Sequence, residues 1–152
     1  MSEKNEQTQR NILVTGGAGF IGSHLVDKLL AKGDRLTVLD NFNDFYDPSN
    51  KRANVKQHLL HADYKLIEGD IRNDSDLDKA FAGGSFDVVV HLAAMAGVRP
   101  SLSQSTYYMD VNVSGTQKII DRIIRQDAKT RLVFGSSSSV YGARSGESFR
   151  ED

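Results

Sequence analysis

A glycine-rich run near the start of the chain constrains its fold more than any other feature. The segment after the apolar residues 12–14 contains four glycines, Gly16, Gly17, Gly19 and Gly22. Apolar residues then recur about every four positions, so the pattern predicts a strand, a tight turn and the start of a helix. The glycines fit Gly-x-Gly-x-x-Gly or Gly-x-x-Gly-x-x-Gly. Such a turn lets a phosphate approach the backbone, where the N–H groups and dipole of the next helix bind it.

An acidic residue at the end of the second predicted strand extends this pattern. Asp40 lies 18 residues after Gly22, near the ~20-residue spacing typical of dinucleotide-binding proteins. Its carboxylate would accept hydrogen bonds from an adenosine ribose and repel a 2′-phosphate, and residues 41–43 carry no cation. These features favour NAD over NADP. The alternative is a glycine-rich turn that binds nothing.

Composition narrows the class of protein. The 152 residues form one domain of ordinary size, and a net charge of −1 gives no reason to expect nucleic acid or an anionic membrane as partner. The chain has no cysteine, and its four histidines lack the spacing of metal ligands. With no signal peptide and no membrane-length apolar run visible, we expect a cytoplasmic protein that binds no metal.

Strands alternate with helices along the sequence. Strands are predicted at 11–15, 35–40, 64–68, 86–92 and 131–134, and helices at 20–32, 51–61, 75–81 and 103–126. This order predicts an α/β fold, a Rossmann-like doubly wound parallel sheet of about five strands. We expect a polar tail at 1–10, an NAD-binding domain at 11–142 and a polar segment at 143–152. Asp44 and Asp47 are expected only to solvate their loop.

Two further clusters follow predicted strands at the edge where such sheets bind ligands. Small residues at 93–97 follow the fourth strand, and they indicate either a close approach of the cofactor or tight helix–strand packing. Four serines at 136–139 follow the fifth strand, and they indicate either hydroxyls that bind a reacting oxygen or a simple turn. No Gly-x-Ser-x-Gly motif accompanies them, so a serine nucleophile is not predicted.

These motifs together resemble the amino-terminal part of the extended short-chain dehydrogenase/reductases, the NAD-dependent nucleotide-sugar epimerases and dehydratases. The matching motifs are Thr15-Gly16-Gly17-Ala18-Gly19-Phe20-Ile21-Gly22, Leu39-Asp40-Asn41, Gly69-Asp70-Ile71-Arg72, His91-Leu92-Ala93-Ala94, Asn112-Val113-Ser114-Gly115-Thr116 and the stretch 136–142. Residues 40–48 and 96–99 are similar to UDP-glucuronate 4-epimerases in particular.

The resemblance implies a role for each matching residue. The cofactor-binding residues would be Gly16, Gly19, Phe20, Ile21 and Gly22 at the pyrophosphate, Asp40, Asn41 and Asn43 at the adenosine ribose, Asp70 and Ile71 at the adenine, Leu92, Ala93, Ala94 and Ala96 at the second ribose and nicotinamide, and Asn112 and Ser136 beside them. Ser137 would be catalytic, and Arg99 and Ser138 would contact a UDP-sugar. The implied reaction removes hydride from C4 of the sugar and returns it to the opposite face.

One departure from the family pattern affects catalysis. The family's catalytic base is the tyrosine of a Tyr-x-x-x-Lys motif, and no tyrosine in this sequence has lysine four residues later. We therefore expect the amino-terminal half of an epimerase without its substrate domain. The alternatives are an inert NAD-binding module and a structural relic that binds a partner. Since truncation would expose the fifth strand, we also expect a homo-oligomer.

Overall fold

Five parallel strands form one sheet in the order β3-β2-β1-β4-β5. The computed structural model describes residues 8–127, 129–142 and 148–151. The strands are β1 (Asn11–Thr15), β2 (Arg35–Asp40), β3 (Tyr64–Glu68), β4 (Val88–His91) and β5 (Arg131–Phe134). Strand β1 pairs with both β2 and β4, in the registers Ile12↔Leu36 and Ile12↔Val88. The order changes direction at β1, so the point between β1 and β4 is the switch point of a doubly wound sheet.

Helices cover both faces of this sheet. They are α1 (Phe20–Ala31), α2 (Pro48–Lys56), α3 (Asp74–Phe81), α4 (Val98–Ser103), α5 (Ser105–Met109) and α6 (Thr116–Gln126), with a π-helical segment at Asp110–Gly115 and a 3₁₀ turn at Ser138–Tyr141. Alternate residues of β1 point to opposite faces: Ile12 and Val14 pack with α1, and Leu13 packs with α3 and α6. The predicted fold class is therefore confirmed.

Helix α2 begins and ends earlier than the prediction of 51–61. The Asp47 side chain accepts a hydrogen bond from Ser49 N at 2.9 Å, and Pro48 occupies the first turn. An Asp cap followed by proline is a strong helix start, so the expectation that Asp47 only solvates its loop was wrong. After Lys56 the chain turns, and His58 Nε2 reaches Asp27 of α1 at 2.6 Å.

The long helix predicted at 103–126 is interrupted twice. Gln104, with φ −125° and ψ 37°, separates α4 from α5, and the π-helical segment Asp110–Gly115 separates α5 from α6. The predicted apolar stripe is nevertheless buried, with Tyr108, Val111 and Ile119 each at most 7% exposed. A stripe of apolar residues indicates which side of a helix faces the core, but it does not show an extra residue in one turn.

The ends of the predicted domain differ from expectation in detail. Arg10, assigned to the polar tail, binds the buried Asp34 through two hydrogen bonds of 2.9 and 2.6 Å. Ordered structure therefore begins before residue 11, while residues 1–7 and 143–147 lie outside the described residues. Strand β4 is shorter than predicted, because its pairing with β1 starts at Val88. No helix in the described ranges has the length and apolar character needed to cross a bilayer.

Candidate functional site

A cleft of about 230 Å³ lies at the carboxyl ends of the central strands. Its walls come from the loop after β1, the loop after β2, the loop after β3 and the segment 92–96 after β4. These loops follow the strands on either side of the switch point, where doubly wound sheets bind their ligands. The four separate sequence motifs therefore meet in one place.

The loop after β1 has a shape that only glycine can give. Gly16 has a φ of +72°, and a Cβ there would stand 2.8 Å from Ala93 N. At Gly22 a Cβ would meet Gly16 O and come within 2.7 Å of Gly17 Cα. Gly19, at the cleft, is the N-cap residue of α1, which has no side-chain cap and no acidic residue in its first turn. The Phe20 backbone N–H is hydrogen-bonded to the Tyr46 hydroxyl, but no carboxylate occupies the first turn, so the positive dipole end of α1 stays available to an anion.

Asp40 connects the end of β2 to this loop. Its side chain is 3% exposed, and it accepts hydrogen bonds from Ala18 N at 3.1 Å, Phe42 N at 2.8 Å and Lys51 Nζ at 3.1 Å. A carboxylate has about four acceptor positions. One position therefore remains for a ligand hydroxyl, and Asp40 is among the residues that line the cleft.

The charged side chain of Asp70, which follows β3, lies on the far side of the cleft. Burial alone would raise the pKa of Asp70, but hydrogen bonds from Arg72 and from the Asn41 amide outweigh it and lower that pKa to about 2. The Asn41 amide lies 3.0 Å from Asp70, and Asn43 donates to the Tyr107 hydroxyl at 3.2 Å. The loops after β2 and β3 and helix α5 are thereby joined by side-chain hydrogen bonds.

The segment after β4 forms a wall shared with a second cavity of about 620 Å³. On the far side of this wall lie Asn112, Phe134 and the serines 136, 137 and 139. Ser137 is the N-cap of the 3₁₀ turn, and its hydroxyl donates to the Ser139 hydroxyl at 3.2 Å. The second cavity therefore presents hydroxyl groups beside the apolar wall of the first cleft.

The structure brings most of the predicted site residues together. Those that line the first cleft are Gly16, Gly19, Phe20, Asp40, Asn41, Asn43, Asp70, Ile71, Leu92, Ala93, Ala94 and Ala96. Asn112, Ser136 and Ser137 line the second cavity. The other four predicted site residues line neither space, namely Ile21, Gly22, Arg99 and Ser138. Ile21 and Gly22 lie in the first turn of α1, and Arg99 lies on α4.

Sequence reasoning missed several residues of the cleft. Lys51 pairs with Asp40 and lines the cleft, although no cation lies at 41–43. Tyr46 and Tyr107 also line it, and the Tyr46 ring lies 5.6 Å from Lys51 Nζ. A Lys-Arg pair on a helix that follows the acidic strand end was the available signal for Lys51. Within the described residues no group of three or more histidines and acids could hold a metal ion.

Comparison with curated proteins identifies long relatives. The chain is 41% identical over 142 residues to UDP-glucuronate 4-epimerase 3 of Arabidopsis thaliana, covering 93% of this chain and 33% of that protein. It is 37% identical over 133 residues to UDP-glucose 4-epimerase 3 of rice, Oryza sativa subsp. japonica, covering 87% and 35%. The chain thus spans about a third of the length of these relatives.

Solved structures agree with these relatives. UDP-glucuronic acid 4-epimerase from Bacillus cereus, in complex with UDP-glucuronic acid and NAD, aligns with a TM-score of 0.79 at 36% identity, covering 91% of this chain and 44% of that one. UDP-glucose 4-epimerase from Thermus thermophilus, in complex with NAD, gives 0.75 at 32% identity, covering 93% and 42%. The family model described as GDP-mannose 4,6 dehydratase matches residues 13–152, so the chain belongs to that family.

Proposed function

We propose that this chain binds NAD in the first cleft and forms the cofactor-binding part of a nucleotide-sugar 4-epimerase. One observation carries the proposal: the glycine loop, the uncapped start of α1 and the Asp40 carboxylate meet at the switch point of the sheet. The first two suit a pyrophosphate, and the third suits a ribose hydroxyl. Relatives solved with NAD bound support this assignment.

The proposed division of the site follows the loops. The pyrophosphate would lie at Gly16, Gly19 and the first turn of α1, including Phe20, Ile21 and Gly22. The adenosine would lie between the loops after β2 and β3, at Asp40, Asn41, Asn43, Asp70 and Ile71. The second ribose and the nicotinamide would lie along Leu92, Ala93, Ala94 and Ala96, near Asn112 and Ser136. When bound, NAD supplies an acceptor and donor of hydride.

Lys51 affects the choice between NAD and NADP. An unpaired Asp40 would strongly repel the 2′-phosphate of NADP. In the structure Lys51 Nζ lies 3.1 Å from Asp40 and neutralises part of that charge. We therefore propose a preference for NAD that is smaller than an unpaired carboxylate would give.

Ser137 is the residue we assign to the reacting part of the substrate. It lies on the wall of the second cavity, where its hydroxyl can hydrogen-bond a sugar oxygen. The substrate is proposed to be a UDP-sugar, with UDP-glucuronate as the first candidate, and Ser138 and Arg99 are proposed to contact it. The B. cereus relative was solved with UDP-glucuronic acid, which supports this choice.

Proton abstraction from the sugar is not assigned to a residue of this chain. No tyrosine in the 152 residues is followed by lysine four positions later. The epimerase reaction is therefore proposed only for a protein that also supplies such a base. For these 152 residues alone, the second candidate function is an NAD-binding module without turnover, and the missing motif favours it.

We also propose a cytoplasmic, self-associating protein. The 152 residues contain no cysteine, so their folding needs no oxidising compartment. Exposed apolar side chains on the β5 side, such as Ile124 at 65% and Phe134 at 53%, support contact with a second copy. Light scattering should give a dimer or larger species, and a monomer at all concentrations would contradict self-association.

Calorimetric titration with NAD tests the binding proposal. A Gly19→Val side chain would project beside the cleft, because a Cβ at Gly19 already stands 3.2 Å from Gly16 O. We expect saturable binding by the wild type and an affinity about 100-fold lower for the variant. Gly83→Ala is the control, since a Cβ there meets nothing within 4 Å. Equal NAD affinity in Gly19→Val and the wild type would contradict the assigned site.

A turnover assay separates the two candidate functions. The chain is incubated with UDP-glucuronate and NAD, and the product is sought by chromatography. We expect no epimerised product from the 152 residues. Any turnover that disappears in Ser137→Ala would show that the chain contains its own base and would reject the binding-module function.

A further inference from the structure

A buried chain of hydrogen bonds passes through His91, the last residue of β4. His91 is 1% exposed. Its Nδ1 lies 2.6 Å from the Thr15 hydroxyl of β1, and its Nε2 lies 2.9 Å from the Thr116 hydroxyl of α6. The ring also stacks on Phe134 at 5.7 Å. His91 therefore joins two strands and a helix at the wall between the first cleft and the second cavity.

At one end of this chain of hydrogen bonds, Thr116 determines the position of one proton of His91. The Thr116 hydroxyl lies 2.8 Å from the carbonyl oxygen of Asn112. A carbonyl oxygen only accepts, so Thr116 must donate its single proton to Asn112. The Thr116 oxygen is then an acceptor toward His91, and His91 Nε2 must carry a hydrogen.

The Thr15 end fixes the other ring nitrogen. Burial lowers the pKa of His91 to about 4, so the imidazole is neutral at pH 7. With hydrogen on Nε2, Nδ1 accepts from the Thr15 hydroxyl. The Thr15 oxygen in turn accepts from Ala93 N at 3.3 Å. Each hydrogen bond in this series then has one donor and one acceptor, which leaves His91 with a single tautomer, the one protonated at Nε2.

The residues at both ends of this series of hydrogen bonds are bonded to the same short segment of backbone. Ala93 N is bonded to Thr15, and the Asn112 amide binds both backbone groups of Met95, accepting from its N–H at 2.8 Å and donating to its carbonyl at 2.9 Å. Segment 93–95 is thus hydrogen-bonded at each end to partners that meet at His91. The same segment lines both the first cleft and the second cavity.

We propose that His91, as the neutral Nε2–H tautomer, is a positioning residue that fixes segment 93–95 and hence the wall between the two spaces. Both of its ring nitrogens are engaged by threonine hydroxyls, so it acts through Thr15, Thr116 and Asn112. The inference rests on the proposed function only for its effect on NAD binding. The hydrogen-bond pattern itself can be tested in the protein without ligand.

Nitrogen-15 NMR of the histidine-labelled protein tests the tautomer directly. We expect a protonated, pyrrole-type Nε2 and an unprotonated, pyridine-type Nδ1, unchanged down to about pH 6, where an ordinary histidine is more than half charged. The exposed His24 provides an internal comparison. A proton on Nδ1, a mixture of tautomers or a charged ring at that pH would overturn the proposal.

Substitutions of Thr116 test the positioning role. Thr116→Val removes the acceptor of His91 Nε2–H, whereas Thr116→Ser keeps the hydroxyl. We expect amide hydrogen exchange at Ala93 and Met95 to be about tenfold faster in Thr116→Val and restored in Thr116→Ser. Thr106→Val, at an exposed position on α5, is the control and should change neither amide. Unchanged exchange in Thr116→Val would contradict the role.

The NAD titration separates this inference from the proposed function. If the wild type binds NAD, the affinity should fall about tenfold in Thr116→Val and recover in Thr116→Ser. If the wild type binds no NAD, the proposed function fails, while tautomer and exchange still decide the role of His91. If Thr116→Val does not fold, the wild-type tautomer alone upholds or overturns the proposal.

Discussion

The first cleft and the second cavity share a wall but are built very differently. The strands behind the cleft are buried on both faces, with Leu13 and Val14 at 0% exposure, and Asp40 is fixed by three donors from three places in the chain. Beside the second cavity, Val133 and Phe134 of β5 are 46% and 53% exposed, and the hydrogen bonds of Ser137 within the described residues join it to its near neighbours Ser139 and Val140. In the part of the chain that the structure describes, several elements therefore organise the cofactor side, whereas mainly a local turn organises the serine side.

The largest effect is expected at Asp40. In Asp40→Asn the nearly buried Lys51 loses its counter-ion, so the free energy of unfolding should fall by about 4 kcal/mol. Urea denaturation measures this change. The double variant Asp40→Asn/Lys51→Met should recover part of the loss because it removes the unpaired charge. Asp44→Asn in the same loop, at an exposed position, should change little; equal losses in both single variants would refute the comparison.

A substitution in the glycine loop should lower stability almost as much. A Cβ in Gly22→Ala meets Gly16 O and the Gly17 backbone, which cannot move aside as a flexible side chain would. We expect a loss of about 3 kcal/mol in stability and no measurable NAD binding. Gly83→Ala, in open space, should keep both properties. Retention of wild-type stability by Gly22→Ala would show that the loop is less constrained than described.

His91, between the two regions, should make stability depend on pH. Its pKa falls from 6.5 to about 4 on folding, so the unfolded chain binds the proton more readily in that interval. The contribution is fully present above pH 6.5 and is lost as pH falls toward 4, about 3 kcal/mol in all. His91→Gln should remove this slope in urea titrations at several pH values, whereas His24→Gln should leave it in place.

Asp70 should make stability depend on pH in a more acidic range than His91 does. Its pKa is lowered from 3.8 to about 2 by Arg72 and Asn41, against the opposing effect of burial. The unfolded carboxyl therefore takes up a proton first, and a contribution of about 2 kcal/mol, present above pH 4, is lost as pH falls toward 2. Asp70→Asn should reduce the slope of the stability curve in that range, and Asp34, Asp74 and Asp76, whose pKa values are also lowered by cationic partners, should keep the remainder. A flat wild-type curve there would contradict the assigned pKa.

Strand β5 should give the smallest effect. Val133→Thr changes a half-exposed side chain, so stability should shift by less than about 0.5 kcal/mol. The same substitution at the fully buried Val14 should cost about 2 kcal/mol, since it buries a hydroxyl. Thermal unfolding of the two variants side by side measures the contrast, and similar losses would remove the distinction between the two sides of the sheet.

The sequence predicted the parts of the molecule whose signals are local. A buried parallel strand has a continuous apolar run, and the turn after β1 needs glycine within a few residues, so strands and loop were found together. The cap of α3 is also local, because the Asn73 side chain accepts a hydrogen bond from Ser75 N two residues later. The Asp47-Pro48 start of α2 was equally local and was overlooked, although an Asp cap before proline marks a helix start.

Features that depend on packing could not be predicted in the same way. Lys51 reaches Asp40 only because α2 folds back over the end of β2. The break at Gln104 and the π-helical segment leave no periodic signal, and the paired hydrogen bonds of Asn112 to Met95 join residues 17 positions apart. Such contacts follow from the tertiary arrangement, whereas motif spacing reports only the chain near each residue.

An NMR titration with NAD tests the central claim most directly, because it reports binding and location together. Backbone amide signals of the wild type are followed as NAD is added. We predict one saturable process with the largest shifts in loop 16–22, at residues 40–43 and at residues 70–71, and smaller shifts at the serines 136–139. No saturation at millimolar NAD, or shifts concentrated away from the first cleft, would contradict the claim that this cleft is an NAD site.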